Sequence, residues 1–232
     1  MPEIGEVTDY IRVLDRSGYF ETVTLSEDDL KRNDMYRANA QRAKAQSRFA
    51  DYHDYLLSLE MTAEIGDFSP LYLQRITQLT NKSNQFNLTT KRYTAEQMEA
   101  VYNSDEYIRL YGKLYDKFGD NGVVAVTIGK TDSEDKGRLD IELWLMSCRV
   151  LKRDMELAML DSLVEQAKKR GIREIYGHYY PTAKNKMVAG LYESFGFEKI
   201  SQDEEGNTAW RLLVEGYEDK NTVIKVKEEH YA

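Results

Sequence analysis

The sequence is poor in the residues that staple or metallate a fold. One cysteine, Cys148, stands in 232 residues, so no intramolecular disulfide forms. That cysteine and three histidines (His53, His178, His230) do not supply a structural zinc site of the usual four-ligand kind. No window approaches the roughly 18 apolar residues that a membrane helix needs, so no membrane partner is expected. Basic residues are outnumbered, 32 against 40 acidic, for a formal net charge of −8. A nucleic-acid surface would need a strong local basic patch against that field, and none stands out. The opening Met1 to Glu6 has neither a basic nor an apolar leader region, so no standard secretory signal is read and a cytoplasmic protein is expected.

What is present suits a globular chain. Charged residues make up 31% and the hydrophobic set 41%, and a chain of this length buries roughly 70% of its unfolded surface. Asp9 to Asp15 reads as a short helical turn and Tyr19 to Leu25 as an extended piece. Ser26 then caps a helix whose first turn holds Glu27, Asp28 and Asp29, which suits the helix dipole. Nothing breaks that helix before about Met61. Its stripe of Tyr36, Ala40, Ala43, Ser47 and Ala50 is mostly small and buries little. Tyr52, Tyr55, Leu56 and Leu59 make a better anchor. Residues 1–62 therefore read as a helical arm whose thin middle leans on a surface absent from this chain, or as a solvated polar helix.

The pattern changes after Gly66. Ser69-Pro70 opens a helix to about Asn81. An amide- and hydroxyl-rich stretch to Tyr93 follows, then a helix capped by Thr94 with Gln97 at the capping-box position. Asp120-Asn121-Gly122 is a turn signal. Val123 to Ile128 and Leu139 to Met146 read as an antiparallel hairpin. Met155 to Arg170 is an amphipathic helix stopped by Gly171. Glu174 to Tyr180 is a strand, Lys184 to Phe195 a helix, and Glu198 to Ser201 with Thr208 to Val214 a last hairpin. Residues 63–214 thus form an α/β domain with a mixed sheet, in which Leu139–Met146 and Glu174–Tyr180 run parallel. The residues from 215 read as a charged tail, partly disordered.

Two resemblances follow from short motifs. Ala189-Gly-Leu-Tyr192-Glu-Ser-Phe-Gly-Phe197 resembles the last motif of the GCN5-related N-acetyltransferase (GNAT, acyl-CoA N-acyltransferase) superfamily. Four further motifs, in order, resemble the C-terminal region of FkbH-like proteins (haloacid-dehalogenase superfamily, subfamily IIIC). They are Asn84-Gln-Phe-Asn-Leu-Thr-Thr90 with Arg92-Tyr93, Phe118-Gly-Asp-Asn-Gly122, Leu145-Met-Ser-Cys-Arg-Val-Leu151, and Tyr180-Pro-Thr-Ala-Lys-Asn185. The resemblance implies a GNAT-type mixed sheet with an N-terminal helical arm. It implies an acyltransferase-like role in moving a glyceryl-type unit to an acyl carrier protein thiol, in polyketide or glycan biosynthesis. It also implies a phosphatase-like partner domain, in the same or a separate chain. The family's Asp-x-Asp-x-Thr/Val nucleophile motif is absent from this sequence. A non-catalytic carrier-docking module and a small-molecule N-acetyltransferase are the alternatives.

The resemblance also places candidate residues. The acetyltransferase pyrophosphate loop, Arg/Gln-x-x-Gly-x-Gly/Ala, matches Arg149, Lys152 and Asp154, with both glycines replaced. Arg149, Lys152 and Arg153 are left to hold a phosphopantetheine or coenzyme A phosphate by their side chains, or to form a solvated helix start. Tyr192 is the family's candidate general acid, or a packing tyrosine. Asn84, Gln85, Asn87, Thr89, Thr90 and Arg92, with Lys184 and Asn185, are candidates for orienting a polyhydroxy acyl group. As the alternative, such a loop satisfies its own backbone. Glu142 is a candidate base or half of an ion pair. Cys148, ending one parallel strand, and His178, lying in the neighbouring one, are a candidate nucleophile pair, although relatives tend to carry an acid at position 178. The two parallel strands are expected to splay near Met146 and Tyr180 and leave a cleft.

Overall fold

The structure is a computed structural model that describes residues 32–227. The short turn at Asp9–Asp15, the extended piece at Tyr19–Leu25 and the helix start at Ser26 lie outside them. The chain divides into two compact units, residues 1–43 and 44–232. The described helix α1 (Arg32–Gln46) belongs mostly to the first.

The arm is not one helix. After α1 the chain turns at Ser47, whose hydroxyl donates to the Lys44 carbonyl, and Asp51 restarts a second helix by accepting the Asp54 N–H. This helix, α2, spans Tyr52–Ser58. A side chain that bonds the backbone locally competes with helical continuation, and serine and aspartate do so at both sides of the break. Met61 then leads directly into β1 (Thr62–Asp67).

From β1 the order is α3 (Pro70–Lys82), β2 (Phe86–Asn87), α4 (Ala95–Tyr102), β3 (Tyr107–Asp116), β4 (Gly119–Thr131), β5 (Arg138–Met146), α5 (Met155–Lys169), β6 (Glu174–Tyr179), α6 (Leu191–Ser194), β7 (Glu198–Gln202), β8 (Thr208–Leu213) and β9 (Lys225–Lys227). The strands form one mixed sheet, ordered β7-β8-β6-β5-β4-β3-β1-β9, with β2 added to β5. β5 and β6 are parallel, as the sequence indicates. The sequence reading lacks β3. It also expects a turn at Asp120-Asn121-Gly122, which lies inside β4; the hairpin bend falls earlier, between Asp116 and Gly119. The bulged register near Lys113 and Tyr115 absorbs the turn-like residues. Lys184–Phe195 is not one helix but a 3-10 turn (Lys186–Val188) and the short α6. The tail also folds back. Asp161 of α5 accepts the Tyr217 hydroxyl at 2.6 Å and the N–H groups of Lys220 and Asn221, and β9 pairs in parallel with Thr62–Glu64.

Two apolar layers sandwich the sheet. On one face α5 buries Met155, Ala158, Met159, Leu163 and Ala167 against Trp144, Ile175 and Trp210, joined by Tyr55 and Leu59 and by Tyr192 and Phe195. On the other, Ile76 and Leu79 of α3 and Met98 and Val101 of α4 cover Tyr111, Val126, Ile128, Leu143 and Leu145. With both faces covered, β4 reads as a near-continuous apolar run. The second layer stops at β5. Beyond it the same face carries Glu174, Tyr176, His178 and Arg211, all partly exposed.

The link from β5 to α5 is held in an unusual way. Lys152 and Asp154 both take left-handed backbone conformations, φ 63° and 59°. Those are the two positions that align with glycine in the acetyltransferase motif, the residue that adopts such a conformation freely. Arg153 between them points inward, is 8% exposed, and donates to Asp116 at 3.1 Å and to Asn121. Tyr52 of α2 donates to the Lys152 carbonyl at 2.7 Å. Glu156, in the first turn of α5, is half-buried with one sealed carboxylate oxygen lacking a partner, and burial raises its carboxyl to about 6.

Two predictions follow from this packing. Because the folded value for Glu156 lies above the ordinary glutamate value of 4.5, the fold holds the proton more tightly than the open chain, and stability falls as pH rises from 4.5 to about 6. The cost above that window is about 2 kcal/mol. Glu156→Gln should raise the melting temperature at pH 8 by about 4–8 °C and change it little at pH 4.5; calorimetry at both values checks this. Second, a Cβ on Gly177 would sit 2.3 Å from Cε1 of the buried Tyr192. Gly177→Ala should cost roughly 1–3 kcal/mol, as overpacking does. The double variant with Tyr192→Leu should cost less than the sum of the single changes in denaturant melts.

Candidate active site

The parallel register between β5 and β6 runs from Arg138–Glu174 to Asp140–Tyr176 and then stops. Past that point the strands diverge, as expected from the sequence. The gap is filled by the chain itself. Phe86 and Asn87 pair antiparallel with Met146 and Leu145. The Leu88 N–H donates to the Trp144 carbonyl at 3.1 Å, and the Leu88 carbonyl accepts the Tyr180 N–H at 2.9 Å. The Thr89 hydroxyl donates to the Glu142 carbonyl at 2.7 Å. Residues 86–88 are at most 4% exposed. Each buried backbone group left unpaired would cost roughly 1–3 kcal/mol, so the insert satisfies a demand that the splay creates. The cleft expected beside Met146 and Tyr180 is therefore occupied along its backbone edge.

The polar candidates of the two loops hold this insert. Asn87 accepts the Thr90 N–H at 2.9 Å, where Thr90 takes a left-handed conformation, φ 56°. Asn185 is fully buried, donates to the carbonyls of Asn87 and Tyr180 at 2.9 Å, and accepts the Thr182 N–H at 2.7 Å. Arg92 donates to the Thr80 carbonyl and to Asn84. Gln85 and Lys184 are exposed at the edge of the loops. Asn87, Thr89 and Asn185 thus meet in space, but their polar atoms face the protein's own backbone.

The remaining candidates separate. Glu142 is the extra residue of a β-bulge: Ile128 pairs with Leu143 and Gly129 with Ile141, leaving Glu142 unpaired. Bulges re-aim side chains, and this one turns Glu142 into a pocket of about 410 Å³ lined by Lys91, Tyr93, Gln97, Val101 and Tyr107. Lys91 pairs with its carboxylate at 2.5 Å and the Tyr93 hydroxyl donates to it at 3.1 Å. Burial, then the Glu142 charge, pushes the Tyr93 hydroxyl far above its usual range. Tyr192 lies on the opposite face, fully buried among Trp144, Phe197 and Trp210. Its hydroxyl has no partner at hydrogen-bond geometry, and burial holds its proton far more tightly than usual. As placed, this hydroxyl cannot reach a substrate at the surface.

Cys148 and His178 do not meet. His178 comes two residues after the last registered pair, Asp140–Tyr176, whereas Cys148 comes eight residues after it, beyond the end of β5. Cys148 is exposed on a 3-10 turn. His178 instead donates from Nε2 to Asp140 at 3.2 Å. Asp140 is gripped by both arms of the Arg138 guanidinium at 2.7 Å. Burial acts against the Asp140 carboxylate, but bonds from His178 and Arg138 overcome it and keep its carboxyl below the usual range. Lys91, Tyr93, Arg138 and Asp140 are the site residues that sequence reasoning missed. Asp140 and His178 share a face by strand alternation, a signal readable only once the parallel register is known.

A coenzyme A arm does not fit these residues in the usual mode. The backbone groups of the splay are bonded to Phe86–Thr89, the loop carries side chains at both left-handed positions, and Arg153 is committed to Asp116. Lys152 is exposed, and Arg149 is half-buried on the turn beside Cys148. Among the described residues no group of His, Cys, Asp and Glu could hold a metal ion, and no helix is long and apolar enough to cross a membrane.

No family model and no curated protein matches the chain. Solved structures do. The ribosomal-protein-S18-alanine N-acetyltransferase from Escherichia coli is 13% identical and superposes with a TM-score of 0.50, over 69% of this chain and 99% of that one. The GNAT domain of S. lividans PAT is 14% identical with a TM-score of 0.50, over 64% and 89%. YncA from Salmonella typhimurium, a proposed acetyltransferase solved with its cofactor acetyl coenzyme A, is 14% identical with a TM-score of 0.50, over 68% and 96%. At such identities the likeness shows the fold: a mixed α/β sheet of the GNAT type, preceded by a helical segment.

Proposed function

We propose that this chain is the acyltransferase-fold module of an FkbH-like protein, serving the transfer of a glyceryl-type acyl unit to the thiol of an acyl carrier protein rather than to or from free coenzyme A. The observation that carries the reading is the insertion of Phe86–Thr89 between β5 and β6. It removes the backbone edge along which a free cofactor arm would lie, and it belongs to one of the four motifs that carry the FkbH resemblance and is held by another. Chemistry then falls on the open side of the bulge, at the pocket of Glu142, Lys91 and Tyr93. A small polyhydroxy acyl group offers hydroxyls to that carboxylate and ammonium, and the net charge of −8 leaves no general attraction for an anionic nucleotide cofactor. A phosphatase-like domain, on this or another chain, is the proposed source of the acyl unit.

The burial of Tyr192 favours a second reading, in which the module docks the carrier and the chemistry lies elsewhere. Loading of a holo carrier protein, followed by mass spectrometry with the phosphatase-like domain and a phosphorylated glycerate donor present, separates the two. Under the first reading Glu142→Gln and Lys91→Ala slow loading by about 5- to 150-fold, the loss of one hydrogen bond in the transition state, with unchanged melting temperature. Under the second they leave loading intact, and charge reversals at Lys168, Lys169 and Arg173 slow it instead.

Coenzyme A affinity gives an independent check. Calorimetry should find binding in the millimolar range, about −4 kcal/mol, and low-micromolar binding, about −8 kcal/mol, would revive a small-molecule N-acetyltransferase.

A further inference from the structure

We infer that His178, oriented by Asp140 and Arg138 on the open face of β5 and β6, is the general base of the transfer. The inference rests on the acyl-transfer reading of this face. It assigns the proton-handling group, which neither Glu142 nor Tyr192 supplies. Glu142 pairs with the Lys91 ammonium and accepts from Tyr93, both at Oε2, and its remaining oxygen is the acceptor for the acyl hydroxyls in that reading. Tyr192 is sealed on the opposite face. His178 is 28% exposed by its side chain and is engaged on one nitrogen.

Its surroundings are those of an oriented base. The Nε2–H donates to Asp140, so the proton of a neutral ring sits on that nitrogen and the Nδ1 lone pair is the accepting one. Asp140 cannot rotate away, because Arg138 holds both of its oxygens in a fork and lies 4.0 Å above the Tyr176 ring. The imidazole lies nearly parallel to Tyr180, 6.3 Å between centroids. Opposite His178 on β8 stands Ala209, whose small side chain leaves the approach clear. The titratable and charged groups facing the ring's neighbourhood are Arg138, Asp140 and Glu142 from β5, Tyr176 and Tyr180 from its own segment, and Arg211 from β8. His178 bonds Asp140, which stands two residues before Glu142 on the same face of β5, so the base lies on the face that carries the pocket proposed to hold the acyl group.

The step is a thioester exchange, in which the phosphatase-like domain is proposed to deliver the glyceroyl unit as a thioester whose thiol is the leaving group. The S–H bond of the attacking thiol breaks and its proton passes to His178 Nδ1. The sulfur lone pair forms the new carbon–sulfur bond. The old carbon–sulfur bond breaks with its pair on the leaving sulfur, which takes the proton back from the imidazolium. Nothing is oxidised or reduced. Asp140 stabilises the imidazolium in between and acts as a positioning residue.

The test uses the full chain with glyceroyl-N-acetylcysteamine thioester as donor and a holo carrier protein as acceptor, reading acyl transfer by mass spectrometry across pH. His178→Ala should lower the rate on the order of 100-fold, with part of the loss restored by imidazole in the buffer and the melting temperature unchanged. His178→Gln should be equally slow. Asp140→Asn should lower kcat with KM unchanged, because the ring loses the partner that orients it, and Asp140→Glu should restore part of the loss. Transfer by wild type with His178→Ala equally active overturns this inference and leaves the acyl-transfer reading standing. The same follows if imidazole restores nothing while Asp140→Asn leaves kcat unchanged. A wild-type chain that transfers nothing overturns both.

Discussion

Two parallel strands that part company halfway create a problem that organises this molecule. Beyond Asp140 and Tyr176 the facing edges of β5 and β6 have backbone donors and acceptors and no partner strand. Water, a ligand or the chain itself must satisfy them. Here the chain does, through Phe86–Thr89, with hydrogen bonds to Trp144, Tyr180 and Glu142. The insert in turn needs Asn185, reaching across 98 residues to the Asn87 carbonyl, and it needs Thr90 in a left-handed conformation that β-branched residues avoid. The burial of Tyr192 and the shift of accessible chemistry to the open face around Glu142 and His178 go with that one closure.

The motifs that carry the family resemblance act in pairs. The Asn84–Thr90 motif is held by the Tyr180–Asn185 motif through Asn87 and Asn185. The Phe118–Gly122 motif is held by the Leu145–Leu151 motif and its extension, through Asn121, Asp116 and Arg153. Both clamps grip the C-terminal end of β5. A buried, paired arginine cannot also serve a phosphate, and a buried asparagine whose amide and carbonyl are both used cannot also serve a substrate. These residues set the shape of the site, while Lys91, Tyr93, Glu142, Asp140 and His178 set its chemistry.

Much of the fold was legible in the sequence because periodicity and end signals carried it. The apolar run of Val123–Ile128, the returning Leu139–Met146, the stripe of α5 ended by Gly171 and the final hairpin all stand as read. β3 was missed because Gly112 and Lys113 interrupt its alternation. The arm reads as one helix because nothing in Ser47–Asp51 is a strong breaker; only the local bonds of Ser47 and Asp51 end and restart it. The tail looked disordered because its anchor, Asp161, lies 56 residues from Tyr217. The site was legible by type and not by pairing. Glu142 drew notice as a carboxylate in a strand, and His178 as a histidine in its neighbour. The bulge that re-aims one and the aspartate that orients the other are set by register, which no local pattern encodes.

Amide hydrogen exchange at Leu88 and Tyr180 tests the central claim most directly, because these two N–H groups close the gap from opposite sides. If the insert is a permanent part of the sheet, both exchange as slowly as the core of β5 and remain as slow in millimolar acetyl coenzyme A. Fast exchange at both positions, or loss of their protection when acetyl coenzyme A is added, would show that the gap opens to a cofactor and would contradict the account.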